Sequence, residues 1–277
     1  MHLEVTRKLD TDSFVLALRR FLSSRGKVRS IRSDNGRNFV GTNNAMKKAF
    51  SEIEDDRVEK FLHAQSCEWI TWDFNTPNAS HMGGVWERQI RTVRSIFTSL
   101  MKSHCEALND EAFSTLVKEV ECIINSRPIT VENLNDPDSL PLSPHQLLTL
   151  KTKAVLSPPG EFQKQGVYCR KQWRIVQSIA NQFWTRWRKE YLTNLQTRQK
   201  WCKQRRNFRV GDIVLVKDKE LFAARNSWPM ARVTEVYPGG DGLVRSVKLQ
   251  IATRDPNGKT AQLVRPISKL VLLEGNE

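Results

Sequence analysis

Two carboxylates occupy positions from which an acidic side chain can hold a metal ion. Asp34 directly follows a short predicted strand and precedes a tight turn at Asn35-Gly36. Glu87 lies one turn into a predicted helix, after the loop NTPNASHMGG. Mg²⁺ prefers carboxylate oxygens and is usually held by one or two carboxylates together with substrate phosphates. Two such ions can activate a water or a 3′-hydroxyl for phosphoryl transfer.

Both acids also have a simpler interpretation. An aspartate before Asn-Gly is typical of an Asx-turn, and a helical glutamate is typical of a solvated surface. The spacing of Asp34 and Glu87 alone leaves the two interpretations open.

Several residues near these acids are candidate contacts to nucleic acid. Arg88, Arg91 and Arg94 follow Glu87 on the same predicted helix and could hold flanking phosphates. Asn35 lies in the turn after Asp34, and His81 lies in the loop before Glu87, where it could touch a substrate phosphate. The spacing of the five histidines fits no zinc motif.

The charge of the chain favours a polyanionic partner. The 277 residues carry a formal net charge of +14, with a pI near 9.8, and nucleic acid is the first candidate for such an excess. Between Lys164 and Arg209, thirteen basic residues are opposed only by Glu190. The candidate contacts in this stretch are Lys200, Lys203, Arg205, Arg206 and Arg209. A solvated face or a nuclear localisation signal is the alternative, and contact with phosphates would depend on salt but little on base sequence.

Cysteine usage and hydropathy suggest an intracellular protein. The five cysteines are widely spaced and form no CxxC pair, which argues against a disulfide framework and a cysteine zinc site. The N-terminus has no apolar signal region, and no apolar run approaches the roughly 20 residues of a membrane helix. We expect a nuclear or cytoplasmic location and no membrane contact.

The first part of the chain alternates predicted strands and helices, which indicates a mixed α/β sheet. A helix after residue 10 has the apolar positions Phe14, Leu18, Phe21 and Leu22, a cap at Thr11 or Asp12, and a stop at Gly26. The other predicted elements are strands at 2–6, 27–33 and 67–77 and helices at 43–65, 83–102 and 109–127.

The composition of the chain changes at several points after residue 127. Residues 128–162 are rich in turn residues, and residues 166–205 are predicted to be a basic, Trp-rich helix. Five short apolar segments after residue 206, separated by Gly, Pro, Asp and Asn, predict a small β-barrel. We therefore predict three segments, 1–127, 128–205 and 206–277. The tryptophans Trp173, Trp184, Trp187 and Trp201 could stack on bases, but helical spacing favours packing.

Long collinear motifs in the chain closely resemble the integrase of BEL/Pao-type LTR retrotransposons. The motifs are IRSDNGRNFVG, NTPNASHMGGVWERQIRTVRSIF, INSRPIT, LSPHQLLTLK and NFRVGDIVLVKD. The resemblance implies an α/β ribonuclease-H-like core, a helical linker and a small all-β SH3-like barrel. It also implies an Asp, Asp, Glu triad that binds two Mg²⁺ or Mn²⁺ ions, in which Asp34 matches the second Asp and Glu87 the Glu.

By the same resemblance, the partners are the DNA ends of the element, the target DNA and further copies of the chain. Integrases of this type trim DNA ends and join them to a target, and their C-terminal barrel contacts DNA and neighbouring subunits. The first Asp of that family lies on a strand upstream of His2–Val5, so we expect an N-terminally truncated core with little or no activity alone. A non-catalytic nucleic-acid-binding module and a fragment of a decaying element are the alternatives.

Overall fold

A computed structural model of the chain describes residues 1–26, 28–34, 36–51, 71–75, 84–104, 108–131, 141–151, 171–195, 206–218, 225–254 and 260–275. The chain divides into two units, which are described separately below. The N-terminal unit is His2–Arg91, and the C-terminal unit is Thr92–Glu277 together with Met1. In the part of the chain that the structure describes, no helix is long and apolar enough to cross a membrane.

The first helix of the N-terminal unit, α1, spans Thr11–Arg25 and confirms the predicted helix. Its cap is Asp10 rather than the predicted Thr11 or Asp12. Asp10 has an extended backbone, and its side chain accepts a hydrogen bond from the Ser13 amide at 2.8 Å, which is the geometry of an N-cap. The helix ends at Gly26, whose φ of 84° favours glycine, as predicted.

Two short parallel strands form the sheet of this unit. β1 spans Ser30–Ser33 and β2 spans Thr71–Phe74, with Ile31 opposite Trp72 and Ser33 opposite Phe74. Both strands lie within the predicted ranges, and residues 67–70 and 76–77 of the second range lie outside the described residues. The helix α2, Arg37–Ser51, follows β1 in the chain. It begins earlier than the predicted start at residue 43, and residues 52–65 of that prediction lie outside the described residues.

The helix α2 packs against α1 at a glycine. A Cβ atom on Gly41 would lie 2.6 Å from Oγ1 of Thr11, so only glycine allows this close approach. Nearby, the ring of Phe14 on α1 packs edge-on against Phe39 at 4.8 Å and against Trp72 at 6.2 Å. These aromatic contacts join both helices to β2.

The strand predicted at residues 2–6 is not formed. Residues 1–6 have no regular secondary structure, and their side chains instead contact α1. Nε of Arg20 donates to Glu4 at 2.9 Å, and Nη2 of Arg20 donates to the Val5 carbonyl at 3.1 Å. A strand needs a neighbouring strand to take its backbone groups. Here the Val5 carbonyl accepts its hydrogen bond from the side chain of Arg20 instead of from a neighbouring strand.

Among the described residues, four α-helices belong wholly or partly to the C-terminal unit. α3 spans Gly84–His104 and contains the boundary between the units. α4 spans Asp110–Asn125, α5 spans Pro144–Thr149 and α6 spans Gln172–Leu195. The prediction that Asn109 caps α4 is confirmed, because its side chain accepts from the Ala112 amide at 2.8 Å. Residues 166–170 and 196–205 of the predicted basic helix lie outside the described residues.

The helices α4 and α6 pack against each other through apolar side chains. Leu116, Val120, Ile123 and Ile124 of α4 are almost completely buried, and so are Val176, Ile179, Ala180 and Phe183 of α6. Two short antiparallel strands, β3 (Thr130–Val131) and β4 (Pro141–Leu142), follow α4.

The C-terminal sheet confirms the five predicted strands. These are β5 (Ile213–Val216), β6 (Met230–Pro238), β7 (Val244–Arg254), β8 (Thr260–Pro266) and β9 (Leu270–Glu274). They pair antiparallel in the order β8-β7-β6-β5-β9. Within the described strands no ladder joins β8 to β9, so the sheet is open and the predicted barrel closure is not seen.

The connection between the two edge strands requires a strongly curled sheet. β8 and β9 are linked only by the short turn Ile267–Lys269. In a flat sheet these strands would lie four spacings apart, about 19 Å, whereas the four Cα-to-Cα steps from Pro266 to Leu270 reach at most about 14 Å. The sheet must therefore curl around its core, which contains Val214, Val216, Ala231, Val233, Val244, Val247, Leu249, Ile251 and Leu270.

Aromatic side chains join α6 to this sheet. Trp228, which precedes β6, packs edge-on against Trp184 at 5.0 Å and against Tyr191 at 5.4 Å. Trp187 stacks between Phe183 and Tyr191. Burial raises the pKa of Tyr191, whose hydroxyl donates to the Pro128 carbonyl at 2.7 Å. α6 is therefore an integral part of the C-terminal unit rather than a free linker.

A buried polar network reinforces the same junction. Arg225 is 4% exposed, and its Nη2 donates to Glu119 at 2.9 Å and to Gln177 at 2.6 Å. Gln177 in turn donates to the other carboxylate oxygen of Glu119 at 2.9 Å. Burial lowers the pKa of Arg225, and the charge of Glu119 opposes that effect. The network thus connects α4, α6 and the segment before β6.

Candidate functional site

Asp34 lies at the carboxyl end of β1, directly before α2, and its side chain is exposed. Oδ1 of Asp34 accepts a hydrogen bond from the Gly36 amide at 2.9 Å, which is the Asx-turn geometry. A Cβ atom on Gly36 would lie 3.0 Å from this oxygen, so glycine leaves room for the close turn. The turn fixes the direction of the carboxylate and leaves it open to solvent.

The end of β1 is held from the neighbouring strand. Nε1 of Trp72 donates to Oγ of Ser33 at 2.9 Å, and that hydroxyl donates to the Asp34 carbonyl at 2.9 Å. The Asn75 amide donates to the Ser33 carbonyl at 2.8 Å. Because β2 thereby fixes the residue before Asp34, the position of Asp34 depends on the sheet and not only on its own turn.

Glu87 lies in the first turn of α3, and its side chain is exposed. Arg91 and Arg94 follow it at spacings of four and three residues, and both are exposed. Residues at these spacings lie on one helix face. One face of α3 therefore presents a carboxylate followed by two guanidinium groups, the arrangement that the sequence predicted.

The donor chemistry of Asp34 and Glu87 fits a hard divalent cation. Each offers exposed carboxylate oxygens, which are the ligands that Mg²⁺ and Mn²⁺ prefer. Among the described residues, no three His, Cys, Asp or Glu side chains form a group that could hold a metal ion. That Asp34 and Glu87 hold one ion together with water and phosphate oxygens stays a prediction from the sequence.

Several predicted contacts lie outside the described residues. These are Asn35, His81, Lys200, Lys203 and Arg205, together with the side chain of Arg88. Their assignment as nucleic-acid contacts stays a prediction.

Arg206 has a structural role that its sequence context did not reveal. Its guanidinium makes a bidentate pair with Asp212, with Nη2 to Oδ1 at 3.0 Å and Nη1 to Oδ2 at 3.2 Å. Asp212 is 0% exposed and also accepts from the Arg209 amide at 2.9 Å. Arg206 thus compensates a buried charge, whereas the side chain of Arg209 is exposed.

Three described cations in the C-terminal sheet also pair with carboxylates. Lys248 donates to Glu235 at 2.7 Å, and Nη2 of Arg245 donates to Asp241 at 2.6 Å. Nε of Arg265 donates to Asp218. The hydrogen bond to Glu235 raises the pKa of Lys248, and the hydrogen bond to Asp241 raises the pKa of Arg245. These pairings offset the positive charges of Lys248, Arg245 and Arg265 with neighbouring carboxylates.

Two of the four tryptophans pack in the protein interior, as their helical spacing favoured. Trp184 and Trp187 are buried and pack in the aromatic cluster, whereas Trp173 is half exposed beside the guanidinium of Arg174, 5.5 Å from the ring centroid. Trp201 lies outside the described residues.

Comparison with known proteins gives a family match over part of the chain. Residues 171–273 match a family of unknown function (DUF5641). The match begins just before α6 and ends within β9, so it covers the long helix and the sheet together. A search of curated proteins finds no match to the chain.

Proposed function

We propose that the chain is a nucleic-acid-binding protein of the retrotransposon integrase type, in which Asp34 and Glu87 are ligands of Mg²⁺ or Mn²⁺. The observation that carries the proposal is the exposed carboxylate of Asp34, directed from a strand end by the Gly36 amide. The net charge of +14 supports a DNA partner. The ribonuclease-H-like assignment of the N-terminal unit and the SH3-like assignment of the curled sheet are part of the proposal.

In this proposal the arginines of α3 and the two acids have separate roles. Arg91 and Arg94 neutralise phosphates beside Glu87 and so orient a DNA strand along α3. Asp34 and Glu87 supply oxygen ligands from a strand end and a helix. A divalent ion, when bound there, would activate a water or 3′-hydroxyl for phosphoryl transfer. The partners would be element ends, target DNA and further copies of the chain.

A second candidate is a nucleic-acid-binding module without chemistry. It is supported by the net charge of +14 and by the thirteen basic residues between Lys164 and Arg209, neither of which requires Asp34 or Glu87. In this case the basic residues near Arg209 would carry the affinity, and the two acids would be a turn former and a surface charge.

Binding of the full chain to duplex DNA at increasing salt tests the proposed partner. We expect the logarithm of the affinity to fall linearly with the logarithm of salt concentration. Replacing Lys203, Arg205 and Arg209 by Gln should lower the slope by about one per charge removed. Arg206 is left intact because it pairs with buried Asp212.

Glu87→Gln is the matched control, and it should leave the affinity and the slope unchanged in the absence of divalent ions. A wild-type chain that does not bind DNA at low salt would refute both candidates. An equal loss of affinity in the triple variant and in Glu87→Gln would refute the assigned contacts.

A further inference from the structure

Two lysines meet at one end of the C-terminal sheet. Lys217 directly follows β5, and Lys269 directly precedes β9. The Lys217 amide donates to the Lys269 carbonyl at 2.9 Å, which extends the ladder by one step beyond the pair Val216 and Leu270. Lys269 is the last residue of the turn Ile267–Lys269, and its positive charge is close enough to lower the pKa of Lys217, so the two ammonium groups repel each other.

Neither lysine has an acidic partner among the described residues. The nearest carboxylate along the chain is Asp218, and Arg265 already occupies it. Elsewhere in and around this sheet, Arg206, Lys248 and Arg245 each pair with a carboxylate. The two neighbouring ammonium groups therefore differ from the paired cations around them, because their mutual repulsion is not offset by a described side chain.

The environment of Lys217 makes a bound anion favourable. Lys217 is half-buried, and burial lowers its pKa, while the charge of Lys269 lowers it further. Lys269 is exposed, so a ligand can reach the pair from solvent. Three cations (Lys217, Lys269 and Arg265) meet one carboxylate (Asp218) at this end of the sheet, which leaves an excess of two positive charges.

We propose that Lys217 and Lys269 together form a binding site for one backbone phosphate of a nucleic acid. The ammonium group of lysine is a compact cation with three donors, and a phosphodiester offers oxygen acceptors that two such groups can share. The inference rests on the proposed function, since it names a contact through which the C-terminal unit holds DNA. Sequence patterns did not reveal this pair, because the two residues are 52 positions apart and meet only through the backbone hydrogen bond between them.

The test compares DNA binding by the full wild-type chain and by the variant Lys217→Gln with Lys269→Gln, from about 50 to about 200 mM salt. The charge-matched control is Lys248→Gln with Arg245→Gln, which removes two positive charges that are already paired with Glu235 and Asp241. Thermal unfolding of each variant checks that the sheet remains folded.

We expect the lysine variant to bind more weakly than the control at low salt. Its salt slope should be lower by about one, because the pair holds one phosphate and about 0.9 of a slope unit is lost per phosphate contact. NMR signals of the Lys217 and Lys269 side chains in the wild-type chain should shift on addition of duplex DNA. Inorganic phosphate at the same ionic strength should shift them less.

Each other result has a distinct meaning. If the wild-type chain binds DNA and the lysine variant has the same slope as the control, the lysine site is refuted while the proposed function stands. If the lysine signals respond to inorganic phosphate but not to DNA, the pair is a small-anion site and the inference is refuted. If the wild-type chain binds no DNA, the proposed function itself fails.

Discussion

The two units differ in where they place their polar groups. In the N-terminal unit, the candidate metal ligands Asp34 and Glu87 are exposed, and Ala17 and Leu18 are the only buried apolar residues among those described. In the C-terminal unit, apolar side chains fill both the helix interface and the curled sheet, and the buried charges of Asp212 and Arg225 are paired.

The comparison distinguishes residues that position a candidate ligand from residues that stabilise the fold. Burial of a large apolar side chain contributes about 1.5–3 kcal/mol, so the C-terminal unit holds most of the described apolar stabilisation. The position of Asp34 instead depends on the Gly36 amide, which donates to its carboxylate, and on Trp72, which donates to the neighbouring Ser33. A substitution at Asp34 should therefore alter ligand binding with little effect on folding, whereas a core substitution in the C-terminal unit should do the opposite.

Truncation of a core side chain should give the largest effect. Phe183 is 0% exposed and stacks on Trp187 in the aromatic cluster, and Phe183→Ala should lower the free energy of unfolding by about 3–5 kcal/mol. Leu18→Ala, the comparison in the N-terminal unit, should cost nearer 2 kcal/mol, the lower end for a buried leucine.

Hydrogen exchange measured segment by segment distinguishes the destabilisation caused by Phe183→Ala from that caused by Leu18→Ala. Phe183→Ala should reduce protection in α4, α6 and the sheet, and Leu18→Ala should reduce it in α1 and α2. If Leu18→Ala reduced protection in the C-terminal sheet as much as Phe183→Ala does, the proposed difference in stabilisation between the two units would be contradicted.

A smaller difference should appear with pH at the helix caps. The side-chain and backbone hydrogen bonds from Ser13 lower the pKa of Asp10. Because this pKa is lower in the folded state, the cap contributes at pH above about 4 and is lost as pH falls through the folded value. The cap of α4 is the amide of Asn109, which does not titrate.

The NMR signal of the Ser13 amide measures this difference. It should move as pH falls below about 4, while the Ala112 amide at the Asn109 cap should move less. Asp10→Asn keeps a cap of similar strength without the titration, so its Ser13 signal should stay constant. A Ser13 signal that titrates equally in Asp10→Asn would show that another group is responsible.

Local patterns predicted much of this fold. The helical spacing of apolar residues predicted α1, α3 and α4, and turn residues between apolar runs predicted all five strands of the C-terminal sheet. These features depend on neighbours within a few residues, which the sequence contains directly. The cap of α1 was missed by one or two positions, because Asp10, Thr11 and Asp12 are all good capping residues.

Features that depend on distant residues could not be read from the chain. The segment at residues 2–6 alternates like a strand but contacts α1 through Glu4. Arg206 looks like part of a basic stretch until Asp212 is buried beside it. In the candidate site, the strand-end position of Asp34 was predictable, whereas the support from Trp72 across the sheet was not.

The most direct test of the account is Mn²⁺ binding by the full chain, measured by electron paramagnetic resonance. The account predicts that the wild-type chain binds Mn²⁺ and that Asp34→Asn greatly weakens this binding while leaving the thermal unfolding temperature nearly unchanged, because asparagine can form the same turn. Asp73→Asn, which removes another exposed carboxylate from the same sheet, should bind Mn²⁺ like the wild type. Unchanged Mn²⁺ binding in Asp34→Asn would contradict the account and leave Asp34 as a turn residue.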